Sequence, residues 1–214
     1  MNKFLTDPNM NYSIHIPDGY KRGTNKKWPL IVFLHGMAQR GKSLQHITSI
    51  GLPDKIKSIP DFPFFIITPQ CPARTYWDRA KPALKVKTII DTVINYYSID
   101  KHRIYLTGFS MGGFGTWYIA SEFPDTFAAI APICGGGNPE MVKNIAHIPT
   151  WVFHGKKDRV VSVNKSYEMV AKLKTMNKAV VKFTIYPEEA HDCWDTVYSD
   201  TNLYDWFLKY SSTK

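Results

Sequence analysis

Almost unbroken apolar runs of strand length recur along this sequence, at residues 28–34 (WPLIVFL), 64–68 (FFIIT), 104–107, 127–133 (FAAIAPI), 150–153 and 180–186. A strand that is apolar at nearly every position has no face to give to water, so both of its faces must be covered. Segments of helical character at 83–97, 113–122, 162–176 and 195–210 supply that cover. The alternation predicts an α/β fold, a mostly parallel central sheet with helices on both faces. Right-handed crossovers then carry the C-terminal ends of the strands to one edge, where such sheets bind their ligands. The polar and glycine-rich segments that follow the strands, HGMAQRG, TPQCPARTYWD, GFSMGG, CGGGN, HGKKD and PEEAHDCW, are expected to meet there. With 214 residues, 44% of them hydrophobic, and no run of Pro, Gly or Ser to divide it, the sequence reads as one domain spanning 1–214.

One of these segments carries a nucleophile pattern. Gly108, Ser110 and Gly112 form G-x-S-x-G between an apolar run and a segment that reads as a helix ending before Pro124. A serine hydroxyl is a poor nucleophile unless a sharp turn with strained backbone angles presents it bare to a base. Glycines two residues to either side leave room for that turn, where a Cβ would collide with neighbouring backbone.

Ser110 then needs a base, and the base needs a carboxylate to fix its tautomer and stabilise the imidazolium. Of seven histidines, His191 alone follows the last predicted strand. The preceding strand ends at HGKKD, which brings Asp158 to the same edge. The order Ser110, Asp158, His191 is that of an α/β-hydrolase sheet and differs from the chymotrypsin and subtilisin orders. His35 and His154 stand in strand-terminal His-Gly pairs and remain alternative bases, although an imidazole there more often ties a loop together. Asp192 and Asp195 are alternative acids, but sequence neighbours on a tight loop seldom face one another.

The oxyanion of an acyl-transfer intermediate needs preorganised N–H donors. The residue after the nucleophile, Met111, offers one backbone N–H, and the loop HGMAQRG offers another from Met37, with Ala38 next in line. Among the aromatic residues of this edge, Phe114 and Trp117 lie on the nucleophile helix and read as core. Phe109, Trp77 and Trp194 complete the set, and the two tryptophans, set in polar loops, are candidates for substrate contact.

Composition excludes several classes. Cys71, Cys134 and Cys193 are too few for a disulfide scaffold and form no metal-ligand spacing, so they read as buried filler with no metal and no cofactor implied. The net charge of +9 comes from scattered lysines and points to a solvated basic surface, with no nucleic-acid partner. No apolar stretch reaches membrane-spanning length. The first residues, MNKFLTDPNMNYSIHIPDGY, lack the apolar core of a signal peptide, which fits a cytoplasmic protein or a chain whose leader has been removed.

Taken together, LIVFLHGMAQRG, ITPQCPARTYWD, YLTGFSMGGFGTW, FAAIAPICGGGN, WVFHGKKDRVV and EEAHDCWDTVYSDTNLYDWFL resemble the successive motifs of compact α/β-hydrolase esterases of the polyhydroxybutyrate-depolymerase-like and feruloyl-esterase-like group. That group is also similar to prolyl oligopeptidase catalytic domains and to dienelactone hydrolases. The resemblance spans nearly all of the chain. It implies a cofactor-independent serine esterase with Ser110 as nucleophile, Asp158 as acid and His191 as base. The dienelactone branch uses a cysteine nucleophile, and Ser110 argues against it. Many relatives show HGxGxRG where Met37, Ala38 and Gln39 here precede Arg40 and Gly41, so the second glycine is missing. The implied substrate is a small-molecule or polysaccharide-linked ester, first a feruloyl or related hydroxycinnamoyl ester, then short-chain esters in general. A prolyl-oligopeptidase-like peptidase ranks below these, because 214 residues leave no room for the gating domain such enzymes normally carry. The short gap before residue 150 leaves no insertion for a lid, and an uncovered cleft suits a bulky or polymer-attached ester.

Overall fold

The computed structural model describes residues 2–5, 10–176 and 179–213. In chain order the main elements are β1 (Asn2–Leu5), β2 (Tyr12–His15), β3 (Trp28–Leu34), α1 (Leu44–Ile47), α2 (Leu52–Lys55), β4 (Phe65–Pro69), α3 (Ala80–Tyr96), β5 (Ile99–Phe109), α4 (Met111–Glu122), β6 (Ala129–Ile133), β7 (Thr150–Gly155), α5 (Asn164–Lys174), β8 (Val181–Tyr186), α6 (Trp194–Ser199) and α7 (Asn202–Phe207). The strands form one eight-stranded sheet in the order β1-β2-β4-β3-β5-β6-β7-β8. From β4 through β8 every neighbouring pair is parallel, while β1 and β2 add an antiparallel edge. This is an α/β-hydrolase-type fold.

Every residue of β3 is buried, and its side chains alternate between two cores. Leu30, Val32 and Leu34 pack with Val86 and Ile90 of α3 and Trp117 of α4. Ile31 and Phe33 face the other way, toward Leu52 of α2, Val197 of α6 and Phe207 of α7. The continuous apolar runs therefore have the physical cause expected of them, a sheet covered on both faces. Truncating Phe33, which is fully buried, to alanine should cost about 3–5 kcal/mol.

The structure departs from the sequence expectations at element ends. β5 starts at Ile99, ahead of the expected 104, because Ile99 already pairs with Trp28 and the polar stretch 100–103 spans a register shift before Ile104 pairs with Leu30. α3 starts at Ala80 and accommodates Pro82 in its first turn, where the missing N–H would have had no intrahelical partner anyway. The expected helix at 195–210 is two helices. Asp200 takes an extended conformation (φ −87°, ψ 113°), and its carboxylate accepts hydrogen bonds from the Asn202 backbone N–H (3.0 Å) and side-chain amide (2.8 Å). The path from β6 to β7 holds a 3-10 stretch, Pro139–Ile145. Among the described residues, no helix is long and apolar enough to cross a membrane. All three cysteines are buried and free.

Candidate active site

The turn between β5 and α4 is tight because two glycines permit it. A Cβ on Gly112 would overlap the Leu34 carbonyl, and one on Gly108 would stand 2.6 Å from the carbonyl oxygens of Gly112 and Leu34. Between them Ser110 adopts φ 55°, ψ −120°, a left-handed conformation that costs a non-glycine residue free energy. Its N–H is anchored to the Ile133 carbonyl at 3.0 Å. The hydroxyl consequently stands clear of the helix at the C-terminal edge of the sheet, half-buried.

Two further loops meet it there. The segment after β7 and the segment after β8 are stitched together by backbone hydrogen bonds from Lys156 to Tyr186 and from Lys157 to Glu189, each 2.9 Å. Gly155 lets them approach, since a Cβ there would overlap the Ala190 carbonyl. This seam sets His191 between Ser110 and Asp158. His191 Nε2 lies 2.9 Å from Ser110 Oγ, and His191 Nδ1 lies 2.7 Å from Asp158 Oδ2. The Asp158 carboxylate is fully buried, and its Oδ1 accepts from the N–H groups of Val160 (2.8 Å) and Val161 (2.9 Å). Burial works to raise the Asp158 pKa, but the hydrogen bonds from His191, Val161 and Val160 outweigh it and hold the carboxyl below its ordinary value. An ionised acid whose partner holds a proton on Nδ1 leaves Nε2 free to accept from serine.

The alternatives sort themselves by geometry. His35 is buried, with Nδ1 2.7 Å from the Gly36 carbonyl and Nε2 accepting from the Cys71 N–H at 3.1 Å, so it ties two loops together. Burial lowers its pKa to about 4. His154 bonds to Val161, Asp158 and Ser166 and contacts no serine at the turn. Asp192 is exposed, and Asp195 pairs with Lys55 at 3.0 Å, so neither alternative acid engages His191.

Met111 opens α4 directly after Ser110, and Met37 opens a 3-10 turn, Met37–Gln39, after β3. Both occupy first helical positions, whose N–H groups have no partner within their own helix. The two tryptophans diverge. Trp77 is fully buried, donates its indole N–H to the His35 carbonyl at 3.0 Å and meets the His35 ring edge-on at 5.2 Å. It is a core residue that braces the loop after β3, and the expectation of substrate contact is corrected accordingly. Trp194 stays at the site, stacked on Phe109 with centroids 4.2 Å apart and edge-on to His191 at 5.4 Å.

Sequence reasoning missed Cys134. It follows β6 with φ 39° and is fully buried, and its Sγ belongs to a cluster in which the ligand atoms of Cys134, Asp158 and His191 all lie within 4.8 Å of one another. Those of Asp158 and His191 are already spent on each other. Burial, and next the neighbouring Cys193 thiol, push the Cys134 thiol well above its ordinary pKa, which keeps it neutral beside the carboxylate. Nothing in the spacing of CGGGN signals this contact, because it depends on where three separate strands end.

Comparison with known proteins agrees with this architecture. Residues 12–195 match the dienelactone hydrolase family, which corrects the expectation that a serine at position 110 sets the chain apart from that group. The chain is similar to poly(3-hydroxyalkanoate) depolymerase C of Paucimonas lemoignei, with 30% identity over 150 residues, covering 64% of this chain and 34% of that protein. It is similar to feruloyl esterase B of Thermothelomyces thermophilus, with 30% identity over 138 residues, covering 59% of this chain and 44% of that one. The chain thus spans less than half the length of these curated relatives. A crystal structure of a thermostable esterase superimposes with a TM-score of 0.82 at 34% identity, covering 99% of this chain and 63% of that one.

Proposed function

The chain belongs to the dienelactone hydrolase family, and from that membership we propose that it is a serine esterase working through an acyl-enzyme on Ser110. The observation that carries this reading is the continuous hydrogen-bonded line from Ser110 Oγ through His191 to Asp158. As Ser110 Oγ attacks the ester carbonyl, His191 Nε2 takes its proton, and Asp158 stabilises the imidazolium that forms. The oxyanion is received by the backbone N–H of Met111 and that of Met37, worth about 10²- to 10³-fold in rate for one such donor. Collapse of the intermediate expels the alcohol, which leaves with the proton from His191. Water then repeats the sequence to release the acid.

For the substrate, we propose a feruloyl or other hydroxycinnamoyl ester, or another carbohydrate-linked ester. The likeness to a feruloyl esterase supports this. So does the rim of the site, where Met37 is 53% exposed and Trp194 offers an aromatic edge beside His191. The test is a substrate panel of methyl ferulate, para-nitrophenyl acetate, butyrate and laurate, and an Ala-Pro anilide. Turnover of methyl ferulate well above the aliphatic esters is the expected result. Preference for acetate or butyrate would reassign the protein as a short-chain carboxylesterase, and anilide cleavage alone would make it a peptidase.

A further inference from the structure

His154 is fully buried at the end of β7, four residues before Asp158, and none of the steps above uses it. Its Nε2 lies 2.9 Å from the Val161 carbonyl oxygen and 3.2 Å from Asp158 Oδ2. Both are acceptors only, so Nε2 carries a proton that the two oxygens share. Its Nδ1 lies 2.8 Å from the hydroxyl of Ser166, itself fully buried on α5. That hydroxyl is also 2.9 Å from the Gly135 carbonyl. Nδ1 and the Gly135 carbonyl compete for the single Ser166 proton, and burial disfavours the charged imidazole.

We infer that His154, held against Ser166, is a positioning residue that orients the Asp158 carboxylate toward His191. With His154 in place, both Asp158 oxygens have nitrogen neighbours on two sides. Oδ1 accepts from the N–H groups of Val160 and Val161, while Oδ2 lies 2.7 Å from His191 Nδ1 and 3.2 Å from His154 Nε2. An ionised carboxylate has about four acceptor sites, so its plane is fixed on all sides. Remove His154 and the oxygen facing His191 keeps one donor while the Val161 carbonyl loses its closure. The acid can then rotate away from the line to Ser110. This inference rests on the assignment of Asp158 as the acid.

The test compares His154→Leu, His154→Gln and Ser166→Ala with wild type in ester hydrolysis. Folding is checked by circular dichroism and thermal midpoint, and the far-downfield proton resonance of the His191–Asp158 hydrogen bond is followed by NMR. His154→Leu should lower kcat roughly 10- to 100-fold with KM unchanged, the cost of a small misplacement of a catalytic group. It should also shift or broaden that resonance. His154→Gln, which keeps an N–H near the position of Nε2, should restore most of both. Ser166→Ala should lower kcat in the same direction by less. A folded His154→Leu with wild-type kcat, or a His154→Gln as impaired as His154→Leu, overturns the inference. If His154→Leu does not fold, Ser166→Ala decides, and wild-type kcat there overturns it. Asp158→Asn in the same assay separates the two levels: an active Asp158→Asn protein brings down the triad itself, whereas its inactivity beside a fully active His154→Leu brings down only the role of His154.

Discussion

At the scale of single residues, the decisive feature is a carboxylate with no exposure to water, whose pKa is held below its ordinary value by hydrogen bonds and by the neighbouring His191. Replacing Asp158 by asparagine keeps the shape but puts an amide where a carboxylate fixed the imidazole tautomer. The expected loss in kcat is about 10³- to 10⁴-fold, while Asp192→Asn, on an exposed side chain, should leave kcat within twofold of wild type, roughly the scatter of surface substitutions. Steady-state kinetics on a common ester decides, and the reverse pattern would move the acid to the His loop. That Ser110, Asp158 and His191 meet at one edge was legible in the sequence because chain order and strand topology restrict which side chains share an edge. Trp77 was misjudged because a loop rich in polar residues does not reveal which of its side chains turns inward. The contact between His154 and Asp158 left a trace, a histidine four residues before the acid in HGKKD, but not its meaning, which needs the Val161 turn to bring Nε2 onto the carboxylate.

At the scale of elements, the turn into α4 is held by the absence of side chains. Gly112→Ala places a Cβ onto the Leu34 carbonyl, backbone against backbone, so β3 and α4 must separate. Gly23→Ala meets nothing within 4 Å and suffers only from its φ of +84°. Urea denaturation should show a loss of about 1–2 kcal/mol for Gly23→Ala with unchanged kcat. Gly112→Ala should lose more stability than that and most of its activity. Equal effects at the two sites would deny the close packing at the turn. The buried strands were legible since an apolar run admits few alternatives. β1 and β2 were not resolved as strands because four-residue antiparallel edges carry too little pattern, and the break between α6 and α7 depends on a side-chain cap at Asp200 that periodicity does not register.

For the whole molecule, the buried ionisable groups make the fold sensitive to acid. His35 is held neutral in the folded chain down to about pH 4 by burial, whereas the unfolded imidazole protonates near pH 6.5. Between these values the unfolded state binds the extra proton, so stability contributed by neutral His35 is complete above about pH 6.5 and is lost as the pH falls toward 4, amounting to about 3 kcal/mol. Asp158, with its folded pKa depressed, adds a second loss at lower pH as it protonates. Urea midpoints between pH 7 and 4.5 should therefore decline, and His35→Gln should flatten the upper part of that decline. A midpoint constant over the range would contradict a neutral buried His35. The central claim concerns one oxygen atom, the Ser110 hydroxyl, and covalent trapping tests it most directly. The protein is treated with a para-nitrophenyl phosphonate ester and its peptides are mapped by mass spectrometry. The account predicts one phosphonyl group per chain on the peptide bearing Ser110, loss of esterase activity in step with labelling, and no labelling of Ser110→Ala. Labelling at another residue, or full esterase activity in the Ser110→Ala protein, would contradict it.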